Sequence, residues 1–209
     1  MTDWLLDQVF DFHGRQVRHA VRGDGPPLVF VHGTPFSSYV WHRIAPHFFA
    51  THRVHYFDLL GYGRSEQPDA DVSLGIQNEL LAQLLDHWNI QRPDVVAHDF
   101  GGATALRTHL LDGKDYRSLT LIDPVALTPW GSPFVQHVRL HEAAFSGLPD
   151  YIQRAIVPTY IRGAIKRDIP DDELDPYVQP WVGDPGQAAF YRQIAQMDER
   201  YTREVEGLY

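Results

Sequence analysis

The sequence predicts an α/β fold in which helices cover both faces of a mostly parallel sheet. Three observations lead to this prediction. Strand-like and helix-like segments alternate up to about residue 125, and such alternation is typical of parallel sheets. The runs LVFV (28–31) and VVA (95–97) are apolar at successive positions, as expected for strands that are buried on both sides. Beyond residue 125, Pro and Gly interrupt segments that are helical in pattern, and we predict no core strand there.

Each element is predicted from the spacing of its apolar residues and from the turn residues that flank it. A hairpin around His13-Gly14 joins the first two predicted strands. The predicted strands are 8–12, 16–21, 28–31, 53–57, 95–97 and 118–122. The predicted helices are 39–49, 74–88, 101–111, 134–145, 151–157 and 187–200. We therefore divide the chain into a core, residues 1–127, and a helical cap, residues 128–209.

Composition excludes several classes of function. A chain of 209 residues that is 44% hydrophobic can bury a sizeable core. Its net charge of -9 argues against a nucleic-acid surface, which needs clustered Lys and Arg. The absence of Cys excludes disulfides and a Cys nucleophile. Because the N-terminus resembles no signal peptide and no apolar run is long enough for a membrane span, we expect a cytoplasmic protein without membrane contact. The scattered histidines imply no metal, and no cofactor is expected.

Residues typical of catalytic sites follow three of the predicted strands. HGTP (32–35) follows LVFV, DLLGYGRS (58–65) follows the strand at 53–57, and HDFGG (98–102) follows VVA. In open parallel sheets the reactive site lies where the carboxyl ends of the strands meet. We therefore expect the three motifs to converge in space.

Asp99 has two interpretations. It can be the N-cap of the next helix, a position that Asp favours. Alternatively, Ala97 and Gly101 complete the pattern small-x-nucleophile-x-small, in which a sharp strand-to-helix turn projects the central side chain above the sheet. The helix N-terminus favours an ionised carboxylate in that place. Since such pentapeptides recur by chance, this motif alone does not decide between the two.

The HGTP loop favours the nucleophile. An oxyanion hole needs two backbone N–H groups, one from the residue after the nucleophile and one from the loop after an earlier strand. Phe100 and Thr34 occupy those two positions. We interpret Asp58, by contrast, as a structural carboxylate that accepts hydrogen bonds from nearby N–H groups.

The three motifs together resemble the α/β-hydrolase family, and most closely its branch of epoxide hydrolases and haloalkane dehalogenases. The resemblance is carried by HGTPFSSYVW (32–41), DLLGYGRSEQP (58–68) and AHDFGG (97–102). It implies that Asp99 displaces a leaving group from sp3 carbon and forms an alkyl-enzyme ester. A His-activated water would then attack the ester carbonyl while the N–H groups of Phe100 and Thr34 stabilise the oxyanion. The cap, rich in apolar and aromatic residues, suggests a small apolar substrate.

The chain departs from the dehalogenase pattern at two positions. Dehalogenases usually follow the nucleophile with Trp, whose indole N–H holds the halide, and often carry Asn in the HG-x-P loop. Here the residues are Phe100, which cannot donate from its side chain, and Thr34. Halide stabilisation would have to come from Trp130 or Trp181 of the cap.

Epoxide hydrolases instead use cap tyrosines to polarise and protonate the ring oxygen. The cap offers Tyr151, Tyr160, Tyr177 and Tyr191, of which Tyr160 and Tyr151 are our leading candidates. Any single tyrosine can equally serve in packing. We count Tyr151, Tyr160 and Trp130, together with His32 of the HGTP segment (32–35), which we call the oxyanion loop, as candidate substrate-binding residues.

The acid and the histidine of the family are harder to place. Asp123, at the end of SLTLI, matches a strand end where some members carry the acid, and is otherwise the first residue of an Asp-Pro turn. The family's histidine follows two further core strands, whereas the last histidine here is His141. We expect this chain to be the amino-terminal part of a longer hydrolase. A second chain or a C-terminal segment would then have to cover an apolar sheet edge.

Two alternatives remain open at this point. The chain can be a non-catalytic binding protein that kept the hydrolase pocket without its histidine. It can also be an ordinary esterase, because the fold does not determine the reaction. If the 209 residues were the whole protein, Asp99 would be alkylated but the ester would not be hydrolysed.

Overall fold

The computed structural model describes residues 4–209. Its strands are β1 (Gln8–Phe12), β2 (Arg15–Arg22), β3 (Pro27–Val31), β4 (Arg53–Phe57), β5 (Asp94–His98) and β6 (Ser118–Ile122). They form one sheet in the order β1-β2-β4-β3-β5-β6. β2 runs antiparallel to β1 and β4, while β4, β3, β5 and β6 are parallel to one another. The predicted α/β class and its mostly parallel sheet are confirmed.

The chain outside the sheet consists of helices, 3-10 turns and irregular segments. The α-helices are α1 (Leu74–His87), α2 (Phe100–Leu110), α3 (Pro133–Leu140), α4 (Glu142–Ser146), α5 (Asp150–Gly163), α6 (Asp171–Val178), α7 (Gly186–Ala195) and α8 (Arg200–Arg203). The 3-10 turns are Ser38–Trp41, Ala45–Phe48, Gln179–Trp181 and Glu206–Leu208. Between residues 4 and 209, no strand follows β6 and no helix is long and apolar enough to cross a membrane.

Three of the predicted helices are wrong in detail. The segment 187–200 is helical only to Ala195, and the chain becomes helical again at Arg200. The segment 39–49 forms two 3-10 turns in place of one helix. Pro46 has no N–H to donate, and in a continuous helix its ring would clash with a backbone carbonyl of the preceding turn. The segment 134–145 is broken between α3 and α4 at His141, whose φ of -138° and ψ of 32° are not helical.

Alternate residues of β3 face two different cores. Val29 and Val31 join the larger core with α1, α2 and the cap helices, while Leu28 and Phe30 pack on the other face against Trp41 and its neighbours. This alternation explains why LVFV is apolar at every position. The two long core helices lie against each other on the first face, and the second face is covered by the two 3-10 turns at 38–48 and the N-terminal segment.

β6 forms the edge of the sheet in the described part of the chain, since it pairs only with β5. Its side chains are largely exposed, and Leu121 and Ile122 are 36% and 42% accessible. Everything after β6 is helical or irregular. The boundary between core and cap at residue 128 stays a prediction.

Candidate active site

The sharp turn predicted around Asp99 is present between β5 and α2. Asp99 has φ of 52° and ψ of -119°, a conformation in which an L-residue is strained. The turn fits because its neighbours lack side chains. A Cβ on Gly101 would lie 2.3 Å from the carbonyl oxygen of His32, and a Cβ on Gly33 would lie 2.5 Å from the Cβ of Asp99. The backbone of the oxyanion loop thus passes directly against the turn.

The contacts of the Asp99 carboxylate favour the role of nucleophile. The backbone N–H of Thr34 donates to Oδ1 over 2.7 Å. Asp99 occupies the N-cap position of α2, but its side chain makes no capping hydrogen bond to that helix. Burial raises the pKa of Asp99, an effect that the backbone N–H groups of Phe100 and Thr34 oppose. The two predicted oxyanion donors therefore both act on this carboxylate.

Asp99 lines a cavity of about 440 Å³ that lies between the carboxyl ends of the strands and the cap. Its wall is mostly apolar, as expected for a small-molecule site. The lining residues come from the oxyanion loop, the turn and the cap: Thr34, Pro35, Asp99, Phe100, Val125, Trp130, Gly131, Ser132, Val135, Thr159, Tyr160, Gly163, Ala164 and Met197.

Tyr160 lines this cavity with a hydroxyl that has no hydrogen-bond partner among residues 4–209. Burial raises its pKa to about 12, and the negative charge of Asp99 adds to the effect. The phenol is therefore protonated at neutral pH. It is a hydrogen-bond donor on a residue that lines the same cavity as the carboxylate.

The two cap tryptophans use their indole N–H groups elsewhere. The Nε1 of Trp130 donates to Thr202 Oγ1 over 2.9 Å, although the ring of Trp130 lines the cavity. The Nε1 of Trp181 donates to the carbonyl oxygen of Pro35 over 2.6 Å. Neither indole N–H is therefore available to a halide in this conformation.

Three predicted site residues lie outside the cavity lining. His32 is completely buried; its Nδ1 lies 3.0 Å from the Gly33 carbonyl and its Nε2 accepts from the Leu59 N–H over 2.9 Å. It holds the strand-end loops together and is not placed to bind substrate. Tyr151 is 72% exposed at the start of α5 and does not line the cavity either.

Asp123 follows β6 with φ of 44° and does not line the cavity. Its negative charge nevertheless contributes to the raised pKa of Asp99. No histidine is among the residues that line the described cavity, so the structure gives Asp123 no imidazole to orient there. Its role as the acid stays a prediction.

Asp58 is structural, as predicted. It is 1% exposed, and its two carboxylate oxygens accept from the N–H groups of Ser38 and Arg64, each over 2.7 Å. Because both of its oxygens accept backbone hydrogen bonds, the Asp58 carboxylate holds together two loops at the carboxyl ends of the strands. It does not line the cavity of Asp99.

Gln193 of α7 was not predicted. Its Oε1 accepts from Thr34 Oγ1 over 2.6 Å and from the Tyr62 hydroxyl over 2.9 Å. It thereby connects the cap to the residue that donates to Asp99. No local signal marks it, because a glutamine on an amphipathic helix is ordinarily a surface residue.

Comparison with known proteins agrees with the geometry. A family model described as alpha/beta hydrolase fold matches residues 26–201. A haloalkane dehalogenase from Mesorhizobium japonicum is 32% identical over 167 residues, and the match covers 75% of this chain and 53% of that protein. The chain thus spans about half the length of this curated relative.

Two solved structures share the architecture. A crystal structure of an α/β-hydrolase fold protein from Burkholderia ambifaria is 57% identical, with a TM-score of 0.96 over 98% of this chain and 76% of that one. An epoxide hydrolase determined without ligand is 20% identical, with a TM-score of 0.74 over 96% of this chain and 76% of that one. The chain belongs to the α/β-hydrolase fold family, and a haloalkane dehalogenase and an epoxide hydrolase are among the proteins it is similar to.

Proposed function

We propose that this chain carries the nucleophile and the ring-opening acid of an epoxide hydrolase that acts on small apolar epoxides. The observation that supports this most directly is Tyr160, which lines the cavity of Asp99 and whose hydroxyl is close enough for the charge of that carboxylate to raise its pKa. An epoxide needs both a nucleophile at carbon and a proton donor at oxygen. The lining offers both at one site.

In the first step, the carboxylate oxygen of Asp99 that is not bonded to Thr34 attacks an epoxide carbon. The new C–O bond forms as the ring C–O bond breaks, and the ring oxygen takes the Tyr160 proton. The alkoxide that would otherwise be released is far more basic than a phenol whose pKa is about 12, so the proton transfer is downhill. The product is a hydroxyalkyl ester of Asp99, and solvent returns a proton to Tyr160.

In the second step, water adds to the ester carbonyl and an oxyanion develops on the oxygen that faces Thr34. The N–H groups of Thr34 and Phe100 stabilise it, and its collapse releases a diol and the free carboxylate. This step needs a base to take the proton from water. The described cavity has no histidine in its lining, so we assign no residue of this chain to that role.

Covalent trapping tests the proposal without requiring turnover. Incubation with styrene oxide or 1,2-epoxybutane is expected to raise the intact mass of the protein by that of one epoxide. Asp99→Asn should form no adduct. Tyr160→Phe should form it ~100-fold more slowly, at the lower end of what a general acid contributes.

Tyr151→Phe is the matched control, since Tyr151 lies on the same helix but is 72% exposed. It should alkylate at the native rate. An adduct on a residue other than Asp99, or equal alkylation rates in the Tyr160 and Tyr151 variants, would refute the proposal.

Dehalogenation is the second candidate, because the Mesorhizobium relative is a haloalkane dehalogenase. The side chain of Phe100 is no donor, and the indole N–H groups of Trp130 and Trp181 are engaged. An alkyl halide would then leave with little assistance. Halide release from 1-bromobutane faster than alkylation by any epoxide would favour this candidate.

A further inference from the structure

The oxyanion loop is held from the cap by two contacts. Gln193 Oε1 accepts the Thr34 hydroxyl proton over 2.6 Å, and Trp181 Nε1 donates to the Pro35 carbonyl over 2.6 Å. Gln193 and Trp181 are 2% and 1% exposed. Both contacts are therefore shielded from water and join segments about 150 residues apart in the chain.

The buried amide of Gln193 is only partly satisfied. The Nε2 of Gln193 is buried and has no partner among residues 4–209. If the amide were turned by 180°, Nε2 would face the two hydroxyls and Oε1 would be the buried group without a partner. In either orientation one polar group stays unsatisfied, which offsets part of what the two hydrogen bonds accepted by Gln193 contribute to stability.

The same threonine connects Gln193 to the reacting atoms. The Thr34 hydroxyl donates to Gln193 Oε1, and the Tyr62 hydroxyl, which donates to the same oxygen, lies 3.0 Å from Thr34 Oγ1. The Thr34 backbone N–H donates to Asp99 Oδ1 over 2.7 Å. A change in the orientation of Thr34 therefore moves the donor on which the oxyanion depends.

We propose that Gln193 is a positioning residue that aligns the Thr34 N–H with Asp99. The geometry of the oxyanion hole would then depend on how the cap packs against the core. Gln193 does not line the cavity and acts through Thr34. Alkylation of Asp99 does not create negative charge on Oδ1, whereas cleavage of the ester does. Loss of Gln193 should therefore slow ester cleavage far more than ester formation.

The first test measures the Thr34 N–H directly, by NMR-detected amide hydrogen exchange of the whole chain. In Gln193→Met the exchange of the Thr34 amide should rise by ~10-fold, as expected when a hydrogen bond that orders it is lost. Thr34→Val removes the partner hydroxyl and should give the same rise. The double variant should exchange no faster than either single variant, because both changes remove one interaction.

Gln187→Met is the matched control. Gln187 lies on the same helix, and its side chain donates to the carbonyls of Ser146 and Leu148 over 3.0 and 2.6 Å rather than to the oxyanion loop. It should leave the exchange of Thr34 unchanged. An equal rise in this control, or no rise in Gln193→Met, would show that Gln193 has only a structural role in the cap.

The second test measures the chemical consequence, which rests on the proposed ester mechanism. Neutral hydroxylamine attacks the Asp99 ester carbonyl through the same oxyanion, giving the hydroxamate and the diol without a base from the protein. In Gln193→Met, cleavage should slow by ~10- to 100-fold. Alkylation by the epoxide should change by less than ~3-fold, and a parallel fall in both rates would overturn the inference.

Each of the two proposals can be refuted independently of the other. If the native protein forms no adduct with any epoxide, the proposed function is wrong, while the amide exchange of Thr34 still decides whether Gln193 positions it. If adducts form but Gln193→Met changes neither exchange nor cleavage, the proposed function stands and the positioning role is wrong.

Discussion

Acid should destabilise this fold through His55, which is buried in β4 without a hydrogen-bond partner. The ring is 2% exposed, neither nitrogen has a partner within residues 4–209, and Trp88 packs on it with ring centroids 4.7 Å apart. Burial lowers the pKa of His55 from 6.5 to about 3, and the charges of Arg53 and His19 add to the effect. The folded state therefore holds this imidazole neutral.

The sign and size of the effect follow from linkage. The unfolded chain takes up a proton as pH falls below 6.5, while the folded chain does not do so until about pH 3, so stability falls across that window. Each pH unit costs about 1.4 kcal/mol, and the loss at pH 5 relative to pH 8 is about 2 kcal/mol. His19 is also buried and has its pKa lowered to about 4, mainly by burial. It acts in the same direction.

Urea unfolding of the native protein and of His55→Leu at pH 8 and pH 5 measures this contribution. Leucine has a similar volume and carries no polar atoms, so the variant should gain about 2 kcal/mol relative to native on going from pH 8 to pH 5. His47→Gln, which changes an exposed histidine, should gain less than ~0.5 kcal/mol. If the advantage of His55→Leu were the same at both pH values, the neutral buried imidazole would not be the cause.

Three further predictions concern the site. Asp99→Asn should raise the melting temperature in a thermal scan at pH 7, because burial raises the pKa of Asp99 and the folded state therefore disfavours its charge; a lower melting temperature would contradict this. Because the pKa of Asp99 is raised, its carboxylate should take up a proton at a pH above 3.8, the ordinary pKa of an aspartate, and the rate of alkylation by an epoxide should fall there as the pH is lowered. Mass spectrometry of quenched samples measures this rate. Gly101→Ala should lose its soluble folded form, since the new Cβ would lie 2.3 Å from the His32 carbonyl oxygen, whereas Gly207→Ala, with no atom within 4 Å, should fold normally by circular dichroism.

The sheet could be predicted because its signals are local. β1 and β6 have the predicted bounds, since alternation and apolar runs depend on neighbours in sequence. The convergence of HGTP with HDFGG followed from a general property of parallel sheets, and the Thr34 N–H indeed bonds to Asp99. The segment 39–49 was mispredicted because one proline outweighed its apolar period.

The cap could not be predicted to the same depth. Tyr151 and Tyr160 lie nine positions apart on α5, yet one is 72% exposed and the other lines the cavity. Which face of α5 meets the core depends on how whole helices pack, and a sequence window does not contain that information. The same holds for Trp130, whose ring lines the cavity while its N–H is bonded to Thr202.

The sequence by itself determined the α/β class and the sharp turn at Asp99, because the backbone conformation there demands small neighbours at fixed spacings and Gly101 supplies one. Only the tertiary structure decided which polar groups remain available at the site. Hydrogen bonds between distant segments occupy the indole N–H of Trp181 and both hydroxyls that meet Gln193, and they leave the hydroxyl of Tyr160 facing the cavity. Whether a donor is engaged depends on its partner in space, and that partner can lie 159 residues away, as Gln193 does from Thr34.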